Sequence, residues 1–459
     1  MATDGQPRRL PSIWRGCESV GRPQGRQQLR RVLFIAYLYP PIANSGTRRS
    51  IEFANHLPDN GWEPVVLTIS NPDSRPDRYD PELLSDVRAG TRVERAPLAT
   101  EAWAQRLGAL LPAPMGTRVA ASLAWRLPAL WKVPDDVAAW RSSAAALGIK
   151  LHREQPFDAI YASGSPWTSF LVARDISRAT GVPYVIDYRD MWSPSGDAPW
   201  EQETRLQRRF RPHLERKTAR DAAAVVTVTK ALVENIGARV GRDDLRCITN
   251  GFEPADFAGL PQPVDDGKVR VSYTGVWRMG YGPELLYRAL RLAKLRQAPW
   301  LDCLAVDAAG FKPGPAHEFG IEDRVTEHGR VSHAQALGMM GRSNAVFLPV
   351  SEGFYASASL PGKLFEYIGS QRPIIAAAPA NSEVARVLDD VGGAWRLERD
   401  DEEGLLAVLQ SLCTDGAYTG FTPRRSERLI TYTRAATARQ LADVLDEVQA
   451  RPHPGRAGA

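Results

Sequence analysis

The chain has four cysteines in 459 residues, Cys17, Cys247, Cys303 and Cys413, each standing alone. Their spacing suits neither a metal knuckle nor a dithiol redox pair, which excludes a disulfide-stapled scaffold and fits a reducing, cytoplasmic setting. Long apolar runs are also missing: no stretch reaches the roughly 18 uncharged apolar residues of a membrane span. The N-terminal segment lacks the continuous apolar core of a secretory signal. H-E-x-x-H, paired C-x-x-C and strand-flanked D-x-D patterns do not occur, so no metal site is expected. G-x-G-x-x-G does not follow the first strand, which disfavours a nicotinamide cofactor bound at that turn.

What is present begins with charge. The formal net charge is +5, and residues 1–31 hold all of it: Arg8, Arg9, Arg15, Arg22, Arg26, Arg30 and Arg31 against Asp4 and Glu18. The rest of the chain is formally neutral, which argues against a nucleic-acid channel through the fold. Residues 1–30, rich in Arg, Gln, Gly and Pro and without periodicity, read as a disordered basic tail. The length suits two domains.

From residue 31 short apolar runs alternate with helical patterns, the sign of an α/β fold with parallel sheets. "RVLFIAYLY", "EPVVLTIS", "FDAIYASG", "PYVIDYRD", "AAVVTVT" and "LRCITNG" read as strands of a first domain, residues 31–252. Within it "SGTRRSIEFANHLPDNG" reads as a helix turning Ile51, Phe53, Ala54 and Leu57 inward. Residues 100–150 break the rhythm and read as an inserted helical or lid segment. The Pro- and Asp-rich stretch 253–268 reads as a linker. "VRVSYTG", "LDCLAVDAAG", "NAVFLPV", "PIIAAAP" and "GAWRLE" then form a second domain, residues 269–425, and a last helix within 426–459 could cap either half. Two doubly wound domains facing each other would leave one cleft lined by strand carboxyl ends.

The polar residues of interest fall at those strand ends. "PGKLFEYIGSQRPIIA" places Lys363 and Glu366 at i, i+3 on a short helix that Pro361 opens and Gly369 with Ser370 closes. They form either a surface ion pair or the wall of a ligand site. "YPPIANSGTRR" sets Asn44, Ser45 and Gly46 at a helix N-terminus, as a plain cap or as amides for an anion. "IDYRDMWSP" brings Asp187, Arg189, Asp190 and Trp192 to one strand end, where a carboxylate can accept a hydroxyl hydrogen bond or a proton. The alternative there is a capping Asp paired with Arg189. Ser163, Gly164 and Ser165 of "YASGSPWTS" are small enough to leave room for a ligand. "YTGVWRMGYGPE" puts Gly275, Arg278 and Gly280 in a strand-to-helix turn able to hold a diphosphate. "TRVAASLAWRLPALWKVPDDVAAW" mixes Arg118, Arg126 and Lys132 with Trp125, Trp131 and Trp140, either an amphipathic stretch for an anionic membrane surface or a lid packed on the first domain.

Taken in order, "YLYPPIANSGTRRSIEFANHL", "DAIYASGSPWTS", "PYVIDYRDMWSP", "ITNGFEPADF", "VSYTG" and "GKLFEYIGSQRPIIA" resemble the retaining nucleotide-sugar glycosyltransferases of family 4, in particular their bacterial envelope-sugar branch. The likeness runs over roughly residues 31–425. It implies the GT-B architecture, two facing Rossmann-like doubly wound domains with an interdomain cleft. The implied reaction moves a sugar from a nucleoside diphosphate sugar, UDP favoured, to an acceptor hydroxyl with retention. By the same resemblance Glu366 would hold the ribose hydroxyls, Lys363 and Arg278 would face the donor diphosphate, and Gly46 would lie near the donor phosphates and the acceptor; Gly275, from the turn read above, joins the donor-binding set. Arg189 and Asp190 would be the catalytic candidates, with Ser163, Ser165 and Asp187 lining the transfer site. A second family glutamate, which contacts the transferred sugar, falls on Ala358; Glu352 stands upstream as its substitute. No cofactor beyond the donor co-substrate, no metal and no nucleic acid is implied. The acceptor would be a carbohydrate, a lipid-linked molecule or a small molecule, reached by a protein in the cytoplasm or peripheral at the inner face of the membrane. A nucleotide-sugar epimerase of the same fold and a non-catalytic sugar-nucleotide-binding protein are the alternatives.

Overall fold

A computed structural model describes residues 29–70, 78–98, 133–193, 205–263, 265–277, 282–351, 353–414 and 422–451. The described chain forms two bodies, residues 29–249 with 434–451, and residues 250–433.

The first body runs through β1 (Arg30–Ala36), α1 (Ser45–His56), β2 (Trp62–Ile69), β3 (Arg92–Ala96), α2 (Trp140–Glu154), β4 (Ala159–Gly164) and α3 (Thr168–Thr180). It continues with β5 (Tyr184–Tyr188), α4 (Arg205–Asp221), β6 (Ala224–Thr227), α5 (Lys230–Val240) and β7 (Arg246–Cys247). The strands make one parallel sheet in the order β3-β2-β1-β4-β5-β6-β7. Val32, Leu33, Phe34 and Ile35 have no exposed surface, as expected of a central parallel strand covered on both faces. The direction of winding reverses between β1 and β4, the place where an α/β sheet opens a crevice at its carboxyl edge. Ala36 pairs with Ser163 and Ser163 with Asp187, so the loops after β1, β4 and β5 leave the sheet side by side.

The second body contains β8 (Val269–Thr274), α6 (Glu284–Leu295), β9 (Leu304–Ala309), β10 (Val325–Glu327), α7 (His333–Arg342) and β11 (Ala345–Pro349). Then come α8 (Gly362–Ser370), β12 (Ile374–Ala377), α9 (Glu383–Val391), β13 (Ala394–Leu397) and α10 (Glu402–Thr414). Its sheet, also parallel, has the order β10-β9-β8-β11-β12-β13 and reverses between β8 and β11. α8 buries Leu364, Phe365 and Ile368 as its periodicity predicts. Its ends differ from the expected ones. Pro361 is the cap rather than a first-turn residue, and the helix stops at Gln371, which takes the left-handed conformation at φ 58°. Gly369 does not end the helix; it is pressed against Phe257, whose Cε2 would lie 2.5 Å from an added β carbon.

Phe252 and Phe257 belong to the core of the second body, so the start of the stretch read as a linker is packed, with a 3-10 turn at Pro254–Phe257. The last helix, α11 (Arg434–Ala450), returns to the first body, where Leu441, Val444, Leu445 and Val448 join the core beside α1. Arg434 pairs with Glu52 at 2.8 Å, and the Trp62 indole donates to Asp446 at 2.7 Å. Among the described residues no helix is long and apolar enough to cross a membrane.

Candidate functional site

Asp187, at the end of β5, is fully buried, and its partner is Arg49 of α1 rather than Arg189. Arg49 donates from Nε and Nη2 to its two oxygens at 2.7 and 3.0 Å, and the Tyr161 hydroxyl donates at 2.5 Å. Arg49 also donates to the carbonyls of Thr249 and Ile248. Contrary to its expected place on the transfer-site wall, Asp187 is a brace between α1 and β5, with both oxygens engaged inside the body.

Arg189 follows β5 and folds back over the loop after β4. Its backbone N–H donates to the Gly164 carbonyl at 3.0 Å, and its Nη2 donates to the Ser165 carbonyl. The guanidinium lies against Gly46, where an added β carbon would fall 1.0 Å from Nη1. Burial lowers the Arg189 pKa, while Asp190 and Asp187 act the other way. The Gly46 amide donates to Asn44 Oδ1 at 3.1 Å, so this loop forms a cap, and the missing side chain of the glycine makes the seat for Arg189. Asp190 is half-buried beside it. The Ser163 hydroxyl is buried with no partner among the described residues.

In the second body Lys363 and Glu366 do not pair with each other. The Lys363 ammonium lies over the Tyr273 ring, 4.3 Å from its centroid, and 3.1 Å from where a β carbon on Gly275 would be. Burial lowers its pKa to about 7, with Glu284 and Glu366 opposing the shift. Pro361, the N-cap of α8, makes no side-chain capping hydrogen bond. Glu366 accepts a hydrogen bond at 3.0 Å from Nε2 of His333, the first residue of α7. Tyr367 hydrogen-bonds the Thr274 amide at 3.0 Å, locking α8 to the end of β8. Gly310, at φ +105°, brings its backbone against Gly275: an added β carbon would sit 2.5 Å from the Gly275 oxygen. A desolvated cation, a helix N-terminus and a carboxylate one turn on therefore meet at the reversal point of this sheet, an arrangement suited to an anion with adjacent hydroxyls.

Residues 46–251 match the family described as Glycosyl transferase 4-like domain. "Probable glycosyltransferase WbjE" of Pseudomonas aeruginosa is 23% identical over 176 residues, 38% of this chain and 42% of that protein, so the match spans less than half of the relative. Sucrose-phosphate synthase from Thermosynechococcus elongatus aligns over 92% of this chain and 99% of its own, with a TM-score of 0.60 and 17% identity. HepE from Anabaena, solved in complex with UDP and glucose, aligns over 92% and 97%, with a TM-score of 0.52 and 15% identity. The fold is GT-B.

In this GT-B chain, Gly46, Ser165 and Arg189 come together in the first body, and Gly275, Lys363 and Glu366 in the second. Arg278, Gly280 and Glu352 lie outside the described residues, as do Arg118, Trp125, Arg126, Trp131 and Lys132. Trp140 is fully buried and donates its indole N–H to the Ala96 carbonyl at 3.1 Å, which takes the packed alternative for that residue and removes it from any membrane-facing surface. Ala358 is buried in a short helix, Phe354–Ala358. Sequence reading does not single out His333, Tyr273, Arg49 or Tyr161, because each acts through a partner distant in sequence. Gly310 did carry a signal, a glycine directly after a strand.

Proposed function

We propose that the protein is a glycosyltransferase that moves a sugar from a nucleoside diphosphate sugar, UDP-sugar favoured, to an acceptor hydroxyl with retention, in polysaccharide, glycolipid or glycoconjugate biosynthesis. The observation that carries this reading is Lys363, a desolvated cation held beside Gly275 at the start of α8, with Glu366 one turn later. The glycosyl transferase 4-like match and the UDP and glucose bound by HepE support it.

In the proposed reaction the bond from the anomeric carbon to the diphosphate breaks, a bond to the acceptor oxygen forms, and the acceptor hydroxyl loses its proton. Lys363 and the first amides of α8 would meet the charge gathering on the departing diphosphate, electrostatic stabilisation fixed in place beforehand. Glu366 would accept from the ribose hydroxyls through the oxygen that His333 leaves open. Arg278 and Glu352 are assigned donor contacts by the resemblance alone. On the acceptor side, Asp190 would accept the hydroxyl hydrogen and Arg189 would hold negative charge. The reaction as proposed uses no metal.

Thermal unfolding with UDP, GDP and ADP tests the donor half. A ligand at about 100 times its Kd adds about 2.7 kcal/mol of stability, so one nucleotide should raise the Tm of the wild type and not of Glu366→Ala. Stabilisation by none of the three sinks the reading. Product analysis with a UDP-sugar tests the rest: acceptor-dependent UDP release supports transfer, an altered sugar nucleotide without acceptor points to an epimerase, and binding without release points to a non-catalytic binder.

A further inference from the structure

α4 has two unlike faces. Gln207, Arg211, Glu215, Thr218 and Ala219 turn inward. Arg205, Arg208, Arg209 and Lys217 are exposed; Arg216 and Arg220, exposed as well, donate from Nε to the Arg239 and Val240 carbonyls at 3.4 and 3.1 Å, and the only exposed acid of the helix, Asp221, is paired with Arg174 at 2.7 Å and Arg178 at 3.3 Å. Among these cations Leu206 and Phe210, four residues apart and hence on one side of the helix, are 46% and 45% exposed. The Arg209 guanidinium stands 5.9 Å from the centre of the Phe210 ring. Beyond residue 31 the chain as a whole is neutral, so this positive face is a local concentration rather than a share of a general excess.

We propose that the outer face of α4 docks on an anionic lipid surface. The cations would engage phosphate headgroups while Leu206 and Phe210 enter the boundary with the acyl chains. Over 17 residues, about 25 Å, the helix would lie in the plane of the interface. Phosphate alone accounts for the cations and leaves two solvent-facing apolar side chains without a role. A bilayer accommodates both, since its outer layer carries the charge and its inner layer takes apolar groups. The proposal does not depend on the transferase reading.

The test is co-sedimentation of the full chain with phosphatidylcholine vesicles and with vesicles containing about one third phosphatidylglycerol. The wild type should pellet with the anionic vesicles and stay in solution with the neutral ones. Leu206→Ser with Phe210→Ser, and separately Arg209→Glu with Lys217→Glu, should each weaken the partition about tenfold or more, with Tm and circular dichroism unchanged because all four side chains are exposed. Absence of wild-type binding, equal binding to neutral vesicles, or variants that bind like the wild type would each overturn it. Binding of an oligonucleotide with the same affinity as the vesicles, unaltered by the Leu206→Ser and Phe210→Ser changes in both cases, would also overturn it and mark a general polyanion surface. Nucleotide-induced stabilisation should persist in both variants, which keeps this result separate from the donor-site reading.

Discussion

Lys363 and Arg189 are cations drawn partly out of water, and burial lowers the pKa of both. For Lys363 the consequence can be read on a pH scale. Between about 7 and its ordinary value of 10.5 the folded protein binds fewer protons at this side chain than the unfolded chain does. Its contribution to stability therefore rises with pH through that window, and Lys363→Met should remove that part of the pH dependence of unfolding. A bound diphosphate restores the charge, so binding takes up a proton. Nucleotide affinity should fall as pH climbs above about 7, by at most about tenfold per unit, and titration calorimetry at several pH values should find Lys363→Met nearly flat. Gly46→Ala should push Arg189 off its seat, lowering kcat about tenfold or more and costing about 1–3 kcal/mol of stability, because the added methyl meets a guanidinium whose Nε is buried. Asp187→Ala is of another kind. It leaves Arg49 buried without its carboxylate and should cost about 3–5 kcal/mol in denaturant unfolding. The residue types at these positions were legible in the sequence, but their pairings were not: Asp187 and Arg189 are neighbours in the chain, yet Asp187 is held by Arg49, 138 residues away.

The strands show which part of the fold a sequence displays. Each run read as a strand became one; the central strands show because burial on both faces demands an unbroken apolar stretch, while "LRCITNG" yields only the two-residue edge β7. The two strands that escaped notice, β3 and β10, are both sheet edges. β3, Arg92–Ala96, carries Arg92, Glu94 and Arg95, the charged composition that discourages edge-to-edge pairing and erases the strand signal as well. The end of α8 misleads for a related reason. A glycine near a helix end suggests a stop, but Gly369 is there to admit the rings of Phe257 and Phe252. Gly369→Ala should therefore destabilise the second body by about 1–3 kcal/mol through overpacking, even though alanine favours helix, and a calorimetric scan resolving the two bodies would show it.

For the molecule as a whole, the two doubly wound sheets were legible from the alternation of elements; the return of the last helix was not, since its amphipathic pattern names a buried face without naming the body that buries it. Leu441, Val444, Leu445 and Val448 contribute about 1.5–3 kcal/mol each by burial. Their sum is on the scale of a domain's whole stability, about 5–15 kcal/mol. A chain ended after Thr433 should thus lose the cooperative unfolding of the first body and bind a hydrophobic dye, while nucleotide stabilisation of the second body survives. If transfer is metal-free, EDTA should leave activity unchanged, and restoration by magnesium after EDTA treatment would count against that part of the proposal.

The return of α11 also sets an order of assembly during synthesis. Its residues, 434–450, leave the ribosome only after all of the second body, so the domain begun first is the last to be completed. At typical elongation rates the wait is on the order of 10–40 s, during which the apolar core residues that α11 will cover stand open to nascent-chain chaperones.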